Sequence, residues 1–434
     1  MEPTTATARG RANRVFLSIV ALLAVCPAVK SQTWTYGVDV GIGATDNIAL
    51  VADDKVSQTI GITDLDFAYK QQSLRLDADL KGDFSYLDYL QHAYSGQLLG
   101  RFDGLAELAL VPERLTWTLQ DNFGQALLNP FAVPTPANLE NVDYLVTGPN
   151  LKLRLGSSSF LDLSAHYARA QYETSPFDSN RLLGSLDWGF QLSPLSTLAL
   201  DALNEHVLFT DTAVNTDFVR SSLYGHYQLH GARTEVVGIL GATEVTQGGV
   251  SITRPLVRVA VTRTLSPTAK LTLSAGQELT DASSSFSVLQ SGAIGSIKAA
   301  PAPVTAAPYT RIYTSVEWKY ERVRTGIALS GRWEKDSYET DPSFDNNASG
   351  SEVRLYRNLT RTFRAEFLGS LDYTDYAQTN FTARDSLLGG ALVLREGRGL
   401  EFRLRYSHMS RAATGIGSSY NENLAFLTIG YSPL

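Results

Sequence analysis

The residues that could carry chemistry are few and scattered. Six histidines are present, His92, His166, His206, His226, His230 and His408. His226 and His230 stand four apart, which on a strand places both on one face but about 13 Å from each other. That is too far to share a metal, so they read as lumen or turn residues. Ser164 and His166 also share a face, and a hydrolase would need such a nucleophile and base brought together. Pairs of this kind arise by chance in a Ser-rich chain, and no enzyme is expected. Asp341, Asp345, Asn346 and Asn347, with Glu339 nearby, lack calcium-loop spacing, as does Asp53-Asp54, and both groups read as solvated loops. No Gly-rich phosphate loop leads into a helix. Neither a metal nor a cofactor is expected.

The more informative constellation is charge on one face of long alternating segments. Arg75, Asp77, Asp79, Lys81 and Asp83 oppose Leu74, Leu76, Ala78, Leu80, Phe84 and Tyr86; Glu317 and Lys319 oppose Ile312, Val316, Trp318 and Tyr320. Arg364 and Glu366 oppose Phe363, Ala365 and Phe367, while Glu401, Arg403 and Arg405 oppose Leu400, Phe402, Leu404 and Tyr406. A period of two is strand, not helix. The segments run about ten to fifteen residues, against roughly five or six in an ordinary soluble sheet. These twelve charged residues are the expected lumen lining. They serve either as a polar surface for a hydrated solute or as a cross-strand ion-pair network that braces the wall.

The joints between segments alternate in length. Short ones fall at Lys70–Ser73, Val111–Arg114, Gly156–Ser158, Leu192–Ser196, His230–Arg233, Ser266–Ala269, Tyr320–Arg322, Asn358–Arg361 and Glu396–Gly399. Between them lie Ala44–Lys55, Gln91–Tyr94, Leu127–Asn141, Thr174–Asn180, Asp211–Thr216, Thr246–Gly249, Asp281–Pro308, Asp336–Gly350, Asp375–Phe381 and Ala412–Ser419. Only the joints at Gln91 and Thr246 fail to exceed the short set. Nineteen connections predict an all-β, up-and-down antiparallel transmembrane barrel of about twenty strands (18–20), with short periplasmic turns and long extracellular loops. Trp34, Tyr36, Tyr86, Tyr89, Tyr167, Tyr172, Trp188, Trp318, Tyr320, Tyr373, Tyr376 and Tyr431, near segment ends, suit interfacial girdles.

Arg9, Arg11 and Arg14 precede the apolar run Val15–Val25, with Cys26 and Ala28 after it. This reads as a secretory signal peptide over residues 1–31, leaving 32–434 as one barrel domain in the outer membrane. Cys26 is the sole cysteine, and Val25 before it does not suit a lipoprotein site. The formal charge of −7 becomes −10 without residues 1–31, a balance with no nucleic-acid footprint. Gly295–Pro308, rich in Ala and Pro, reads as a mobile loop rather than a plug.

The first segments carry a resemblance. Trp34-Thr35-Tyr36-Gly37-Val38-Asp39-Val40, then Gly43-Ala44-Thr45-Asp46-Asn47-Ile48, lead on to Leu74-Arg75-Leu76-Asp77-Ala78-Asp79-Leu80. This resembles the outer-membrane β-barrel family associated with PEP-CTERM and exopolysaccharide systems of Gram-negative bacteria. The resemblance implies a channel or scaffold in polysaccharide export or assembly, and no catalytic residue comes with it. Leu427, Ile429 and Tyr431 resemble a barrel-insertion signal, although Leu434 is not aromatic. Expected partners are outer-membrane lipid and lipopolysaccharide, the barrel-assembly machinery, exopolysaccharide and other export proteins. The rival readings are a general diffusion porin and an adhesive barrel that binds partners through its loops.

Overall fold

The computed structural model describes residues 32–284, 305–397, 399–415 and 417–433. The expected signal peptide and most of the Ala/Pro-rich stretch lie outside the described residues. Twenty strands make one closed antiparallel sheet: β1 (Gln32–Thr45), β2 (Gln58–Gln72), β3 (Leu76–Tyr89), β4 (Gln97–Val111), β5 (Leu115–Leu127), β6 (Leu139–Arg154), β7 (Ser159–Tyr172), β8 (Ser179–Ser193), β9 (Ser196–Phe209), β10 (Phe218–His230), β11 (Thr234–Gln247), β12 (Val250–Ser266), β13 (Ala269–Thr280), β14 (Tyr309–Arg322), β15 (Thr325–Tyr338), β16 (Asn346–Asn358), β17 (Phe363–Tyr376), β18 (Phe381–Glu396), β19 (Leu400–Thr414) and β20 (Tyr420–Tyr431). Each strand pairs with its sequence neighbours, and β1 closes the ring on β20. Closure satisfies every strand edge, which a sheet in lipid requires.

The alternation of short and long joints holds with local shifts, except at Gly248-Gly249 and at the β17–β18 joint, whose residues 377–380 are no longer than the turns at 155–158 and 359–362. β3 begins at Leu76, so Leu74 and Arg75 belong to the preceding turn, where Leu74 is almost fully exposed. β14 runs through Arg322, which moves that turn to Val323-Arg324. The joint at Gln91 widens to Leu90–Gly96. At the long-loop end only Gly248-Gly249 is a true tight hairpin, with φ of 57° and 83°, a geometry of two positive φ angles that glycine adopts without strain.

Period two sorts the strands into a lipid face and a lumen face. Val38, Val40 and Ile42 on β1, Leu404 and Tyr406 on β19, and Leu427 and Ile429 on β20 are exposed large apolar residues on the outer wall. Contiguous apolar exposure of this kind calls for lipid, and the chain is an outer-membrane-type β-barrel. All five tryptophans, Trp34, Trp117, Trp188, Trp318 and Trp333, take outward positions, as do Tyr36, Tyr86, Tyr167, Tyr373 and Tyr431. Tyr89, Tyr172 and Tyr376 do not join the girdle. Each sits on the inward parity of its strand and is buried at the long-loop end.

The β1–β20 seam is the shortest ladder, running only from Val38–Tyr431 to Thr45–Leu424. Gly41 sits against β20 so closely that a Cβ there would lie 2.2 Å from the Leu427 carbonyl oxygen. Above the ladder, the Thr45-Asp46-Asn47 motif fastens the seam. Thr45 donates to Glu422 at 2.5 Å, Asp46 accepts from the backbone and side chain of Asn423 at 2.8 and 2.7 Å, and Asn47 donates to the Asn421 carbonyl at 2.8 Å. Asn47 has no exposed surface.

Candidate functional site

At the long-loop end, inward aromatic residues form a collar around the mouth. Tyr89, Tyr144, Tyr172, Phe209, Phe218, Tyr309, Tyr338, Tyr376 and Phe381 come from strands distributed around the ring, and all are buried. Two loop segments, residues 128–138 and 281–284, pack against part of this collar.

The first is the β5–β6 loop, which acts as a strap. Pro130, Pro134 and Pro136 limit its backbone freedom. Asn138 knits its base, donating to the carbonyls of Asn129 and Val133 at 2.9 and 3.1 Å and accepting from Asn129 N–H at 2.8 Å. Phe131 at its tip meets rings from the opposite wall: Phe344 at 6.1 Å, stacked, and Tyr376 and Phe381 at 4.9 and 5.7 Å, edge-on. Arg411 on β19 is bidentate to Asp385 at 2.6 and 2.9 Å and donates its remaining amine to the Ala132 carbonyl at 3.1 Å. Twenty strands about 4.8 Å apart, tilted about 40°, enclose a ring roughly 40 Å across. Four residues from Leu127 to Phe131 reach at most about 14 Å. Its partners are Phe344 in the β15–β16 loop and Tyr376 and Phe381 at the ends of β17 and β18, so the strap bridges the mouth where the far wall and its loop come within that reach.

The second is a latch at the start of the β13–β14 loop. Asp281 accepts from Arg181 on β8 at 2.6 and 3.1 Å, and from Arg220 on β10 at 3.2 Å. Glu205 on β9 completes the set, bonded to Arg181 at 3.1 Å and also to Arg220. Ser284 bonds both guanidiniums, and Ser283 meets the Tyr172 hydroxyl at 2.8 Å on β7. Arg181, Glu205 and Asp281 are at most 4% exposed. Burial pushes the Asp281 carboxyl up, but the Arg181 and Arg220 guanidiniums outweigh it and hold the group well below the usual carboxylate range. Ala306 packs on Val207, Phe209, Phe218, Val245 and Leu279 at the loop's return.

Below the mouth the wall is charged and mostly paired along or between adjacent strands. Lys81 meets Asp79 at 3.0 Å, Lys319 meets Glu317 at 2.9 Å, and Arg364 meets Glu366 at 2.8 Å. Glu401 joins Arg395 at 2.8 Å and Arg403 at 2.5 Å, while Arg405 reaches Asp64 at 2.6 Å. Asp77 and Asp83 share the inward face of β3, and Asp83 stands directly opposite both Asp66 and Arg101. Arg75 lies in the turn that precedes β3, its carbonyl accepting from Ala109 N–H at 2.7 Å. These contacts run along the wall, so they brace it and leave its surface polar.

Other candidates are separated by the fold. Ser164 bonds Ser185 at 2.5 Å while His166 turns to Asn150 at 3.0 Å, so no nucleophile–base pair forms there. His226 faces the lumen, and His230 meets Glu235 at 3.5 Å beside a turn. Asp341 caps the short turn Pro342–Phe344, Asp345 accepts from Tyr338 N–H at 2.6 Å, and Glu339 holds Arg254 at 2.8 Å. That acidic loop is committed to its own structure. Sequence reasoning missed Phe131, Arg181, Glu205 and Arg220. The available signal was a run of inward-parity Tyr and Phe at the long-loop ends.

No family model and no curated protein matches the sequence. Solved structures similar in outline include the copper transporter OprC (TM-score 0.45, 10% identity, 94% of this chain and 81% of that one). A ferric enterobactin receptor (PfeA) mutant from Pseudomonas aeruginosa gives 0.46 at 9% identity, covering 94% and 81%. OccAB4 from Acinetobacter baumannii gives 0.39 at 9% identity, covering 93% and 98%.

Proposed function

We propose that the chain is a gated passage for hydrophilic solutes across the outer membrane, held shut from outside by the strap and the latch. The observation that carries this reading is Phe131, delivered across the mouth onto rings of the opposite wall, above a lumen whose facing side chains are charged. A barrel built only as a scaffold has no need of a polar interior under a bridged mouth. The solute class we favour is extracellular polysaccharide, on the resemblance carried by Trp34–Asn47 and Leu74–Leu80. Passage is passive, since a mixed-charge wall binds hydrated polymer weakly and supplies no energy.

The test is single-channel recording of the refolded barrel in planar bilayers, beside a variant whose residues 129–137 are replaced by a short Gly-Ser turn. The intact barrel should be mostly silent and the strapless one should conduct steadily. A correctly folded strapless barrel that stays silent refutes the gate. Deletion in the host should leave polymer behind the outer membrane; normal surface polymer would remove the polysaccharide assignment and leave a gated porin.

A further inference from the structure

One part of the lumen wall carries charges that the described residues do not neutralise. Asp162 on β7, Asp187 on β8 and Asp201 on β9 are direct cross-strand partners on the inward face, so they stand in one row. Tyr224 on β10 continues it, directly opposite Asp201. Side chains paired this way have Cβ atoms about 4.5–5.5 Å apart, and like charges so placed repel. At one end the chain supplies its own remedy, since Lys152 on β6 sets its ammonium 3.1 Å from Asp162. Asp187 and Asp201 have no equivalent. One carboxylate oxygen of each of the three is buried without a hydrogen-bond partner, as is Nε2 of His226 beside the row on β10, but among the described residues only Asp162 has an ion-pair partner for its other oxygen. Asp201 is only 9% exposed. Arg258, on β12 beyond Tyr224, is committed to Glu278.

We propose that Asp187 and Asp201 form a binding site for a primary ammonium group of a solute in the lumen. An ammonium has three donors and no acceptor, enough to satisfy both carboxylates and the Tyr224 hydroxyl, and Lys152 already plays this part for Asp162. A metal cage is not the alternative, because no group of three or more Asp, Glu, His or Cys side chains among the described residues could hold one. Asp187 and Asp201 lie towards the short-turn ends of β8 and β9, so a solute entering from the periplasm would reach their height without passing strap or latch. The proposal goes beyond the gated passage and does not require the mouth to open.

The test is isothermal titration calorimetry of the refolded barrel in lipid nanodiscs with spermidine, which needs no conductance. Saturable binding should weaken about tenfold or more in D187N/D201N, the range expected for losing charge-assisted hydrogen bonds. D83N, at an inward carboxylate outside the row, should leave it unchanged. Tetramethylammonium, with the same charge and no N–H, should compete at least about tenfold more weakly than methylammonium. Heat-modifiable migration on gels checks folding, and D201N alone carries the same comparison if the double variant does not fold. Absence of binding to the wild type, equal affinity in the Asn variants, or equal competition by tetramethylammonium overturns the proposal.

Discussion

Asp281→Asn should unlatch the β13–β14 loop. In the latch two guanidiniums face two carboxylates, all but Arg220 nearly inaccessible to water. The substitution keeps the shape, removes one negative charge and leaves Arg181 and Arg220 to share Glu205 in a buried site. Removing one partner of such a buried set costs about 3–5 kcal/mol. Arg181, Arg220 and Glu205 belong to the wall and stay when the loop lifts, so water can reach them in the open form. The penalty therefore falls mainly on the closed form. A change of that size is roughly two to three and a half powers of ten in the closed-to-open ratio. The assay is thiol labelling of Ala282→Cys, a site 6% exposed when latched, in a chain starting at Gln32, which lacks Cys26. The Asn variant should label at least about a hundredfold faster than its Asp281 counterpart. Equal labelling rates in the two folded proteins would refute the argument that this charge set holds the loop in.

Phe131→Ala removes three ring contacts worth roughly 0.5–1.5 kcal/mol each, so it should raise open probability in bilayer recordings; an unchanged record would mean the strap is held elsewhere. Neutralising Arg403 and Arg405 as Gln leaves Asp39 on β1 and Asp64 and Asp66 on β2 without those guanidiniums, and the reversal potential of the strapless barrel should shift towards cation selectivity. Because its folded-state carboxyl is depressed, Asp281 contributes its latch energy in full above about pH 4 and loses it as pH falls further. Labelling of Ala282→Cys at pH 5 should thus show the same protection as at pH 7, once corrected for thiolate fraction. Gly41→Val drives a side chain into the β20 backbone and should abolish heat-modifiable migration, whereas Val40→Ile, facing lipid, should not.

The wall was legible in the sequence because a strand's parity is a local property. Ile312, Val316 and Trp318 against Glu317 and Lys319 fix two faces without knowledge of any other strand. Turn positions slipped by a residue or two where no Gly or Pro marks them, at Leu74-Arg75 and at Val323-Arg324. The mouth was less legible, because it depends on which loop turns inward. Phe131 finds Phe344 and Phe381 only once the ring has closed, over sequence separations that no local pattern encodes. Position along the strand alone suggests the girdle for Tyr89, Tyr172 and Tyr376. Their parity, already fixed by neighbouring residues, shows that they face the lumen.

The clasp formed by Thr45, Asp46 and Asn47 has a consequence for how the barrel is born. Every other ladder joins neighbours in sequence and can form as a hairpin, whereas the seam must bring together segments separated by nearly the whole chain, the most entropically expensive pairing in the molecule. Its ladder is also the shortest, and β1 residues Gln32–Gly37 run on past the end of β20, pairing among the described strands with β2 alone. The side-chain bonds that support closure are concentrated at the extracellular lip. Closure is therefore expected to be the final event of membrane insertion and to spread from that lip towards the periplasm. An assembly intermediate would then be a nearly complete sheet, curled and open along one line, with Trp34 and Tyr36 at its free edge.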